Sequence, residues 1–260
     1  FWSPVEECYV LYARHSQEGR RATARATSKD FLNWTAQTLM TYGETGTTKP
    51  SQHLYTNQTH PYFRAPHIYI SLAGRFQSGR RVLTDEQAAA LDIDPSGGGG
   101  NDSSDGVLLT SRAGSTQYDF TFRESFVRPG IGLNNWVSRT NYPALGVVQT
   151  GPDEMSLFVQ RDYGQKSAYL QRMTLRLDGF AAVHAPYLGG DLLTKPLTFA
   201  GQELEINYST SAAGSIRVEI QDAIGQTLPG YTVDECAEII GDEIRRVVVW
   251  KHGSDVSPLA

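Results

Sequence analysis

Short runs in which apolar and polar residues alternate dominate the first part of the chain. Residues 8–14 are rich in β-formers, and residues 21–27 alternate with the period of a strand that buries one face. Turn-forming residues follow both runs, at Gly19-Arg20 and at residues 28–30. Together with residues 31–34, this pattern predicts an antiparallel meander.

Three further units of similar size follow the first. Their predicted strands lie at residues 66–72 and 80–83, then at 106–112 and 119–127 with Trp136, and finally at 145–150, 155–161 and 169–177. Repeats of a few strands at a spacing of roughly 40 residues are typical of a β-propeller, whose blades stack around an axis to bury their apolar faces. We therefore expect an all-β fold that begins with a β-propeller of the five-bladed type, only partly represented here.

One segment interrupts the strand pattern. Residues 84–91 favour a short helix, in which Thr84 caps the N-terminus and Gln87 completes a capping box. Gly97 to Gly100 follow this helix, and glycine loses more backbone entropy on ordering than any other residue. We therefore predict an insertion between blades that ends in a mobile glycine segment.

The pattern changes after residue 180. Strict alternation of apolar and polar positions then marks strands at residues 197–199, 203–208 and 215–220, and a further strand is expected at residues 245–250. This arrangement favours a β-sandwich. We divide the chain into a propeller domain, residues 1–184, and a sandwich domain, residues 185–260. Because strands that close such sheets are missing at the ends, we expect the sequence to be a piece of a longer protein.

Composition restricts the partners. Of the 260 residues, 40% are hydrophobic, which is enough for a sizeable core, and the formal net charge is −5. Nucleic acid is not expected as a partner, because phosphate binding needs clustered Lys and Arg. No apolar run reaches the length of about 18 residues that a membrane helix needs, so no membrane partner is expected.

Several cofactor and nucleophile signatures are missing from the sequence. Gly97 to Gly100 are not followed by Lys and Ser or Thr, so they do not form a phosphate-binding loop, and there is no Gly-x-Ser-x-Gly elbow. Cys8 and Cys236 are too few for a four-thiolate zinc site. We interpret them as free core residues, with a single bridge between them as the alternative. No cofactor is predicted.

Two phrases carry a resemblance to a known family. Residues 21–34, Arg-Ala-Thr-Ala-Arg-Ala-Thr-Ser-Lys-Asp-Phe-Leu-Asn-Trp, and residues 122–130, Phe-Arg-Glu-Ser-Phe-Val-Arg-Pro-Gly, resemble blades of five-bladed propeller glycosidases. With the sandwich-like stretch at residues 193–220, nearly the whole chain is similar to glycoside hydrolases of the fructosidase clan, the relatives of invertase and inulinase, and especially to bacterial proteins grouped with them. The resemblance implies a propeller followed by a sandwich, and a carbohydrate ligand.

The chain departs from that family at the catalytic phrases. The Trp-Met-Asn-Asp-Pro-type and Arg-Asp-Pro phrases of the fructosidases do not occur, and Glu-Cys occurs as Glu7-Cys8, inside the first visible blade, where we interpret it as coincidence. The blade that would contain the nucleophile is missing from this sequence. The resemblance therefore implies membership of the propeller group without implying fructosidase activity.

Glycoside hydrolysis needs two carboxylates that flank the scissile bond. Asp105 is the first candidate because it opens a predicted inner strand, with an Asp-Gly turn as the alternative. Glu124 is the second, because the adjacent Arg123 can hold it ionised or an apolar wall can raise its pKa; the alternative is a structural ion pair. Asp102 and Glu154 are weaker candidates, in a loop and in a hairpin turn.

Polar and aromatic side chains that can hold a sugar cluster at two places. We assign substrate binding to His60, Tyr62, Arg64, Trp136 and Asn141. Packing is the alternative for His60 and Trp136. Two histidines without a third ligand are weak as a metal site, so no metal is predicted.

These patterns lead to a prediction and its alternatives. We predict a glycoside hydrolase that acts on an oligo- or polysaccharide at the axial pocket of a propeller, through the carboxylates of Asp105 and Glu124. The first alternative is a non-catalytic propeller that binds carbohydrate, and the second is a propeller used for protein contacts. Two carboxylates within about 10 Å at one rim favour the enzyme, whereas a single one favours binding.

Overall fold

The computed structural model describes residues 1–43, 50–94 and 100–259. Strands dominate it, and most neighbouring strands are antiparallel, so the all-β prediction is confirmed. Within the described ranges the helical elements are α1 (Asp85–Ala90) and two short 3₁₀ turns, Leu133–Trp136 and Ser257–Leu259. The described part of the chain contains no helix that is long and apolar enough to cross a membrane.

The strands are numbered in chain order. They are β1 (Trp2–Ser3), β2 (Cys8–Gln17), β3 (Arg20–Ser28), β4 (Thr38–Leu39), β5 (Thr41–Tyr42), β6 (His53–Thr56), β7 (Thr59–Tyr62), β8 (Ala65–Gln77), β9 (Ser103–Arg112), β10 (Gln117–Tyr118), β11 (Tyr142–Pro143), β12 (Val148–Gln149), β13 (Glu154–Arg161), β14 (Tyr169–Arg176), β15 (Glu205–Ser209) and β16 (Asp242–Val247).

The chain forms two compact units. The first consists of Phe1–Thr150 and Ser156–Thr174, and the second of Gly151–Met155 and Leu175–Ala260. The domain boundary that the sequence suggested, between residues 184 and 185, stays a prediction.

The first sheet has the strand order β1-β2-β3-β4. Its hairpin between β2 and β3 is antiparallel from Tyr9 opposite Ser28 to Gln17 opposite Arg20, which confirms the strands predicted at residues 8–14 and 21–27. Small residues alternate along β3 and are buried, including Ala22, Ala24 and Ala26. The turn takes Glu18 and Gly19 into the left-handed region, as a tight hairpin requires.

The second sheet corrects the predicted division into units. β6 and β7 both pair with β8, and β9 pairs with β8 along its length, from Ile68 opposite Arg112 to Gln77 opposite Ser103. The prediction that placed residues 66–72 and 106–112 in different units was therefore wrong, and residues 80–83 do not form a strand. A long connection joins two antiparallel neighbours here, so no tight turn marks their pairing in the sequence.

The helix predicted in this connection is confirmed. The hydroxyl of Thr84 accepts a hydrogen bond from the Gln87 N–H at 3.2 Å, and the Gln87 side chain accepts one from the Thr84 N–H at 2.9 Å. This capping box holds α1 while Ala88 packs into a cluster with Leu83, Ile93 and Val137. Of the glycines predicted to be mobile, Gly97 to Gly99 lie outside the described residues.

The third sheet has the order β11-β13-β12, with β14 paired to β13. β13 and β14 confirm the strands predicted at residues 155–161 and 169–177. A parallel pair, β5 and β10, completes the strand pairs of the first unit among the described residues.

The second unit is built around an antiparallel pair, β15 and β16. Its core contains Tyr208, Tyr231, Cys236, Ile239, Val248, Trp250 and Val256. The strand predicted at residues 197–199 was wrong, because residues 181–203 have exposed side chains and pair with no strand of the described chain. Cys8 and Cys236 are both free and buried, as predicted.

Candidate functional site

The three four-stranded sheets of the first unit contact one another near the starts of β3, β6 and β11. β6 begins at His53, opposite Phe76, and β11 begins at Tyr142, opposite Gln160. The backbone N–H of Arg21, at the start of the β3 hairpin arm, donates to Nδ1 of His53 at 3.2 Å. The rings of Tyr55 and Tyr142 are 5.5 Å apart, which links the second sheet to the third. This end therefore collects side chains from all three sheets.

Arginines and aromatic rings are interleaved at this end. The guanidinium carbon of Arg21 lies 4.6 Å from the Tyr55 ring centroid and 5.1 Å from that of Phe76, and that of Arg14 lies 5.9 Å from Tyr55. Such distances are within the range of cation–π attraction. We call Arg14, Arg21, Tyr55, Phe76, Tyr142 and Arg139 the cationic cluster. Arg139, whose side chain is hydrogen-bonded to Tyr163, is included because its charge lies within reach of Tyr55 and Tyr142.

The local electrostatics reflect this arrangement. Burial lowers the pKa of His53, and the positive charges of Arg21 and Arg20 lower it further. Burial also raises the pKa of Tyr142, whose hydroxyl has no hydrogen-bond partner in the described residues. The cluster is thus a region of positive potential that contains a buried, neutral phenol.

An open depression of about 460 Å³ adjoins the cluster through Tyr142. Residues of the second and third sheets line it, among them Thr56, Gln58, Gln160 and Tyr169. Tyr169 is 52% exposed, so its ring is available to a ligand, and Gln58 has a left-handed backbone with φ of 48°. Exposed rings and planar amides are the side chains that hold a sugar ring and its hydroxyls.

Asp105 lies within β9, opposite Arg75 on β8. Nε and Nη2 of Arg75 donate to the two carboxylate oxygens at 2.7 and 2.5 Å, and both side chains are largely buried. Arg75 also donates to the carbonyl of Arg123 at 2.7 Å. The carboxylate of Asp105 is therefore held in a bidentate ion pair, and its predicted catalytic role stays a prediction.

Glu124 is exposed and forms no ion pair within the described residues. The guanidinium of the preceding Arg123 lies 5.1 Å from the Phe120 ring centroid and donates to Ser51 at 3.2 Å. Arg123 thus contacts Phe120 and Ser51, and it does not form the predicted ion pair with the Glu124 carboxylate. Arg75 brings the backbone beside Glu124 close to Asp105, but no contact joins the two carboxylates.

His60 is committed to contacts inside the first unit. Nε2 accepts the backbone N–H of Val147 at 3.2 Å, and Nδ1 donates to the carbonyl of Gln58 at 3.1 Å. This pair of bonds requires the neutral ring protonated on Nδ1, and burial lowers the pKa of His60 accordingly. His60 joins β7 to the segment between β11 and β12.

The other predicted binding residues lie in different places. Tyr62 is buried at the end of β7, with its ring 4.7 Å from that of Phe63, and Arg64 is exposed in the next turn. Trp136 packs against the cluster around α1 and donates from Nε1 to the carbonyl of Gly130 at 3.2 Å. Sugar contacts by these three residues stay predictions.

Asn141 is a buried junction next to the cationic cluster. Its side-chain amide donates to the carbonyls of Ser104 and Asn135 at 3.0 and 2.9 Å, and its oxygen accepts from Arg161. A left-handed backbone, with φ of 72°, allows this geometry. Asn141 thus links the backbone of Ser104 to that of Asn135. Asp105 and Trp136 follow these two residues, but Asn141 does not bring their side chains together.

A second set of buried charged groups lies where the turn between β1 and β2 contacts β8. Glu6 forms an ion pair with Arg25, and Tyr69 donates to Glu6 at 2.5 Å. Burial acts to raise the pKa of Glu6, but the hydrogen bonds from Tyr69 and Arg25 outweigh it and hold the pKa below its ordinary value of 4.5. Burial raises the pKa of the neighbouring Tyr12 to about 12. No pattern in the sequence relates these residues to one another.

The second unit contains a cavity of about 580 Å³, lined by Asp153, Arg176, Asp242, Glu243 and Arg245 among others. Two of its three carboxylates are already engaged. Asp242 pairs with Arg176 at 2.7 Å, and Glu243 accepts from Tyr208 at 3.0 Å and from Arg246 at 3.3 Å. This surface is an ion-pair network, and it lacks the exposed ring that the depression of the first unit offers.

No group of three or more His, Cys, Asp and Glu side chains suited to a metal ion occurs within the described ranges. The chain matches no family model, no curated protein and no solved structure in the comparisons made.

Proposed function

We propose that the first unit binds carbohydrate in the depression between its second and third sheets. The observation that carries this proposal is the shape and chemistry of the depression, where the exposed Tyr169 ring lies with the amides of Gln58 and Gln160. Its volume of about 460 Å³ is within the range of small-ligand sites. A ring of a sugar chain stacks on Tyr169 in this proposal, while the amides bond its hydroxyls.

The proposed architecture is a partial propeller followed by a sandwich. Three four-stranded sheets among the described residues, which contact one another through Arg21 and His53 and through Tyr55 and Tyr142, support the propeller. The antiparallel pair and the aromatic core of the second unit support the sandwich. The resemblance to propeller glycosidases of the fructosidase clan is consistent with a carbohydrate ligand.

Glycoside hydrolysis is the second candidate function. It is favoured by Arg75, which hydrogen-bonds both the Asp105 carboxylate and the carbonyl of Arg123. Because Arg123 precedes Glu124, these bonds hold the backbone beside Glu124 close to Asp105. Against it stands the bidentate pairing of Asp105, because a general acid or base must be free to exchange a proton. Binding without hydrolysis is therefore the function that the geometry supports best.

A panel of oligosaccharides and aryl glycosides separates the two functions. Binding is measured by calorimetry, and cleavage by chromatography of the products. We expect binding of at least one oligosaccharide without cleavage. Cleavage that falls by about 10²–10⁴-fold in Asp105→Asn or Glu124→Gln would establish the hydrolase instead. If no sugar of the panel binds or is cleaved, the carbohydrate proposal is wrong.

A further inference from the structure

The positive charge of the cationic cluster is not neutralised by any carboxylate of the first unit that the structure describes. None of Arg14, Arg21 and Arg139 forms an ion pair with a residue that the structure describes. Asp102 is within electrostatic reach of Tyr142, but its Oδ1 already accepts the Gly79 N–H at 2.8 Å. Arg139 is hydrogen-bonded to the Tyr163 side chain, but no carboxylate that the structure describes neutralises any of the three guanidinium groups, so their charge remains available to an external anion.

Aromatic rings hold these groups in position. Arg21 lies over Tyr55 and Phe76, and Arg139 lies 5.7 Å from the ring centroid of Tyr163. A guanidinium that stacks on a ring can still offer its N–H edge, and this fork matches the oxygens of a carboxylate or sulfate. Arg14 and Arg139 are exposed, so an approaching anion can reach them.

The cluster adjoins the proposed sugar site at Tyr142, a ring that is itself buried. Tyr142 contributes to both, since it lines the depression and its ring is 5.5 Å from that of Tyr55, on which Arg21 stacks. None of the arginines lines the depression itself, so a sugar chain that stacks on Tyr169 must pass beyond Tyr142 to reach them. The lowered pKa of His53, to which Arg21 and Arg20 contribute after burial, reports the same positive potential.

We propose that the ligand of this site is an acidic sugar chain, whose carboxylate or sulfate groups are bound by Arg14, Arg21 and Arg139. This inference rests on the proposed carbohydrate function and adds the class of sugar to it. The overall charge of −5 does not oppose it, because recognition depends on the local field at the site.

Calorimetry with three oligosaccharides of equal length tests the inference. Oligogalacturonides carry carboxylates only, carrageenan oligosaccharides carry sulfates only, and xylo-oligosaccharides are neutral. We expect one acidic ligand to bind at least about tenfold more tightly than the neutral one, and this preference to shrink at high salt. Which acidic ligand binds identifies the anionic group.

Two variants then assign the effect to the cluster. Arg14→Gln and Arg139→Gln change exposed side chains, so the fold is expected to persist, and each should weaken acidic-sugar binding by about ten- to hundredfold. Arg112→Gln, an exposed arginine at the far end of β9, is the matched control and should leave binding unchanged.

Each other outcome overturns the inference. Equal binding of neutral and acidic sugars would refute the acidic class while the carbohydrate function stands. Acidic-sugar binding that both variants retain would refute the role of the cluster. If no sugar of either kind binds, the inference and the proposed function fail together.

Discussion

Nε2 of His60 accepts the backbone N–H of Val147 at 3.2 Å, so one imidazole joins two sheets of the first unit. The same ring donates from Nδ1 to the carbonyl of Gln58. Both nitrogens are occupied, and protonation of Nε2 would remove the acceptor that Val147 needs. The ring is therefore a pH-sensitive junction beside the proposed sugar site.

Replacing His60 should destabilise the first unit. His60→Ala leaves the buried N–H of Val147 without its acceptor, at a cost of about 1–3 kcal/mol in the free energy of unfolding. Urea denaturation measures this loss. His67→Ala, which changes an exposed histidine nearby, should stay within about 0.5 kcal/mol of the parent.

The contribution of His60 should also depend on pH. Its pKa in the folded protein is below the ordinary value of 6.5, so the unfolded chain takes up the proton first. The stabilisation is fully present above pH 6.5 and is lost as pH falls from there through the lowered pKa. The difference in stability between the parent and His60→Ala should shrink between pH 7.5 and 5. A difference that is constant across this range would contradict the neutral-ring assignment.

The Glu6–Arg25 pair should contribute strongly to the stability of the first sheet. Glu6→Gln leaves the buried guanidinium without its counter-charge, which costs about 3–5 kcal/mol. The adjacent Glu7→Gln changes an exposed side chain and serves as the control. Because the pKa of Glu6 is lowered, its contribution is present above pH 4.5 and is lost as pH falls below that value. Equal stabilities of the two variants in thermal unfolding would disprove the assignment.

Gly74 should be required for the position of Tyr142. A Cβ at Gly74 would lie 2.7 Å from Cδ1 of Tyr142 and 2.8 Å from Oγ1 of Thr56, so Gly74→Ala must displace one of them. We expect a loss of about 1–3 kcal/mol and weaker sugar binding. Gly190→Ala, whose added carbon meets nothing closer than 3.9 Å, is the control. Unchanged binding and stability in Gly74→Ala would refute the close packing described for Tyr142.

The Arg75–Asp105 pair distinguishes a structural from a catalytic role for Asp105. A double-mutant cycle with Arg75→Gln and Asp105→Asn should give a coupling of about 0.5–3 kcal/mol. The exposed pair Lys166–Asp92, at 3.0 Å, provides the comparison and should couple by about 1 kcal/mol or less. If the Arg75 cycle gives no coupling, the bidentate bond does not hold Asp105 and the catalytic prediction gains support.

Local features of the fold could be predicted from the sequence. The β2–β3 hairpin follows from alternation and a turn, and α1 follows from the Thr84–Gln87 capping box, because both depend on residues close in sequence. The pairing of β8 with β9 could not be predicted, since the long connection that carries α1 hides their adjacency.

The candidate site depended on long-range contacts to an even greater degree. His60 was selected as a polar residue near a strand, but its partner Val147 is 87 positions away. The cationic cluster was missed because Arg14 and Arg21, on the β2–β3 hairpin, come together with Tyr55 and Arg139 from distant parts of the chain, and no spacing in the sequence relates the hairpin to these residues. The neighbouring Asn141 was singled out, from a local group of polar and aromatic residues that includes Arg139 and Tyr142.

The proposed carbohydrate site is tested most directly by calorimetry, in which the most tightly bound oligosaccharide is titrated into Tyr169→Ala and Tyr187→Ala. Tyr169 lines the depression, whereas Tyr187 is 96% exposed in the second unit and serves as a control for loss of an exposed ring. Removing an aromatic ring on which a sugar stacks typically lowers binding affinity more than an ordinary surface substitution does. Tyr169→Ala should therefore weaken binding by about tenfold or more. Tyr187→Ala should bind like the parent. If Tyr169→Ala also binds like the parent, the sugar does not lie in this depression and the proposed carbohydrate site is wrong.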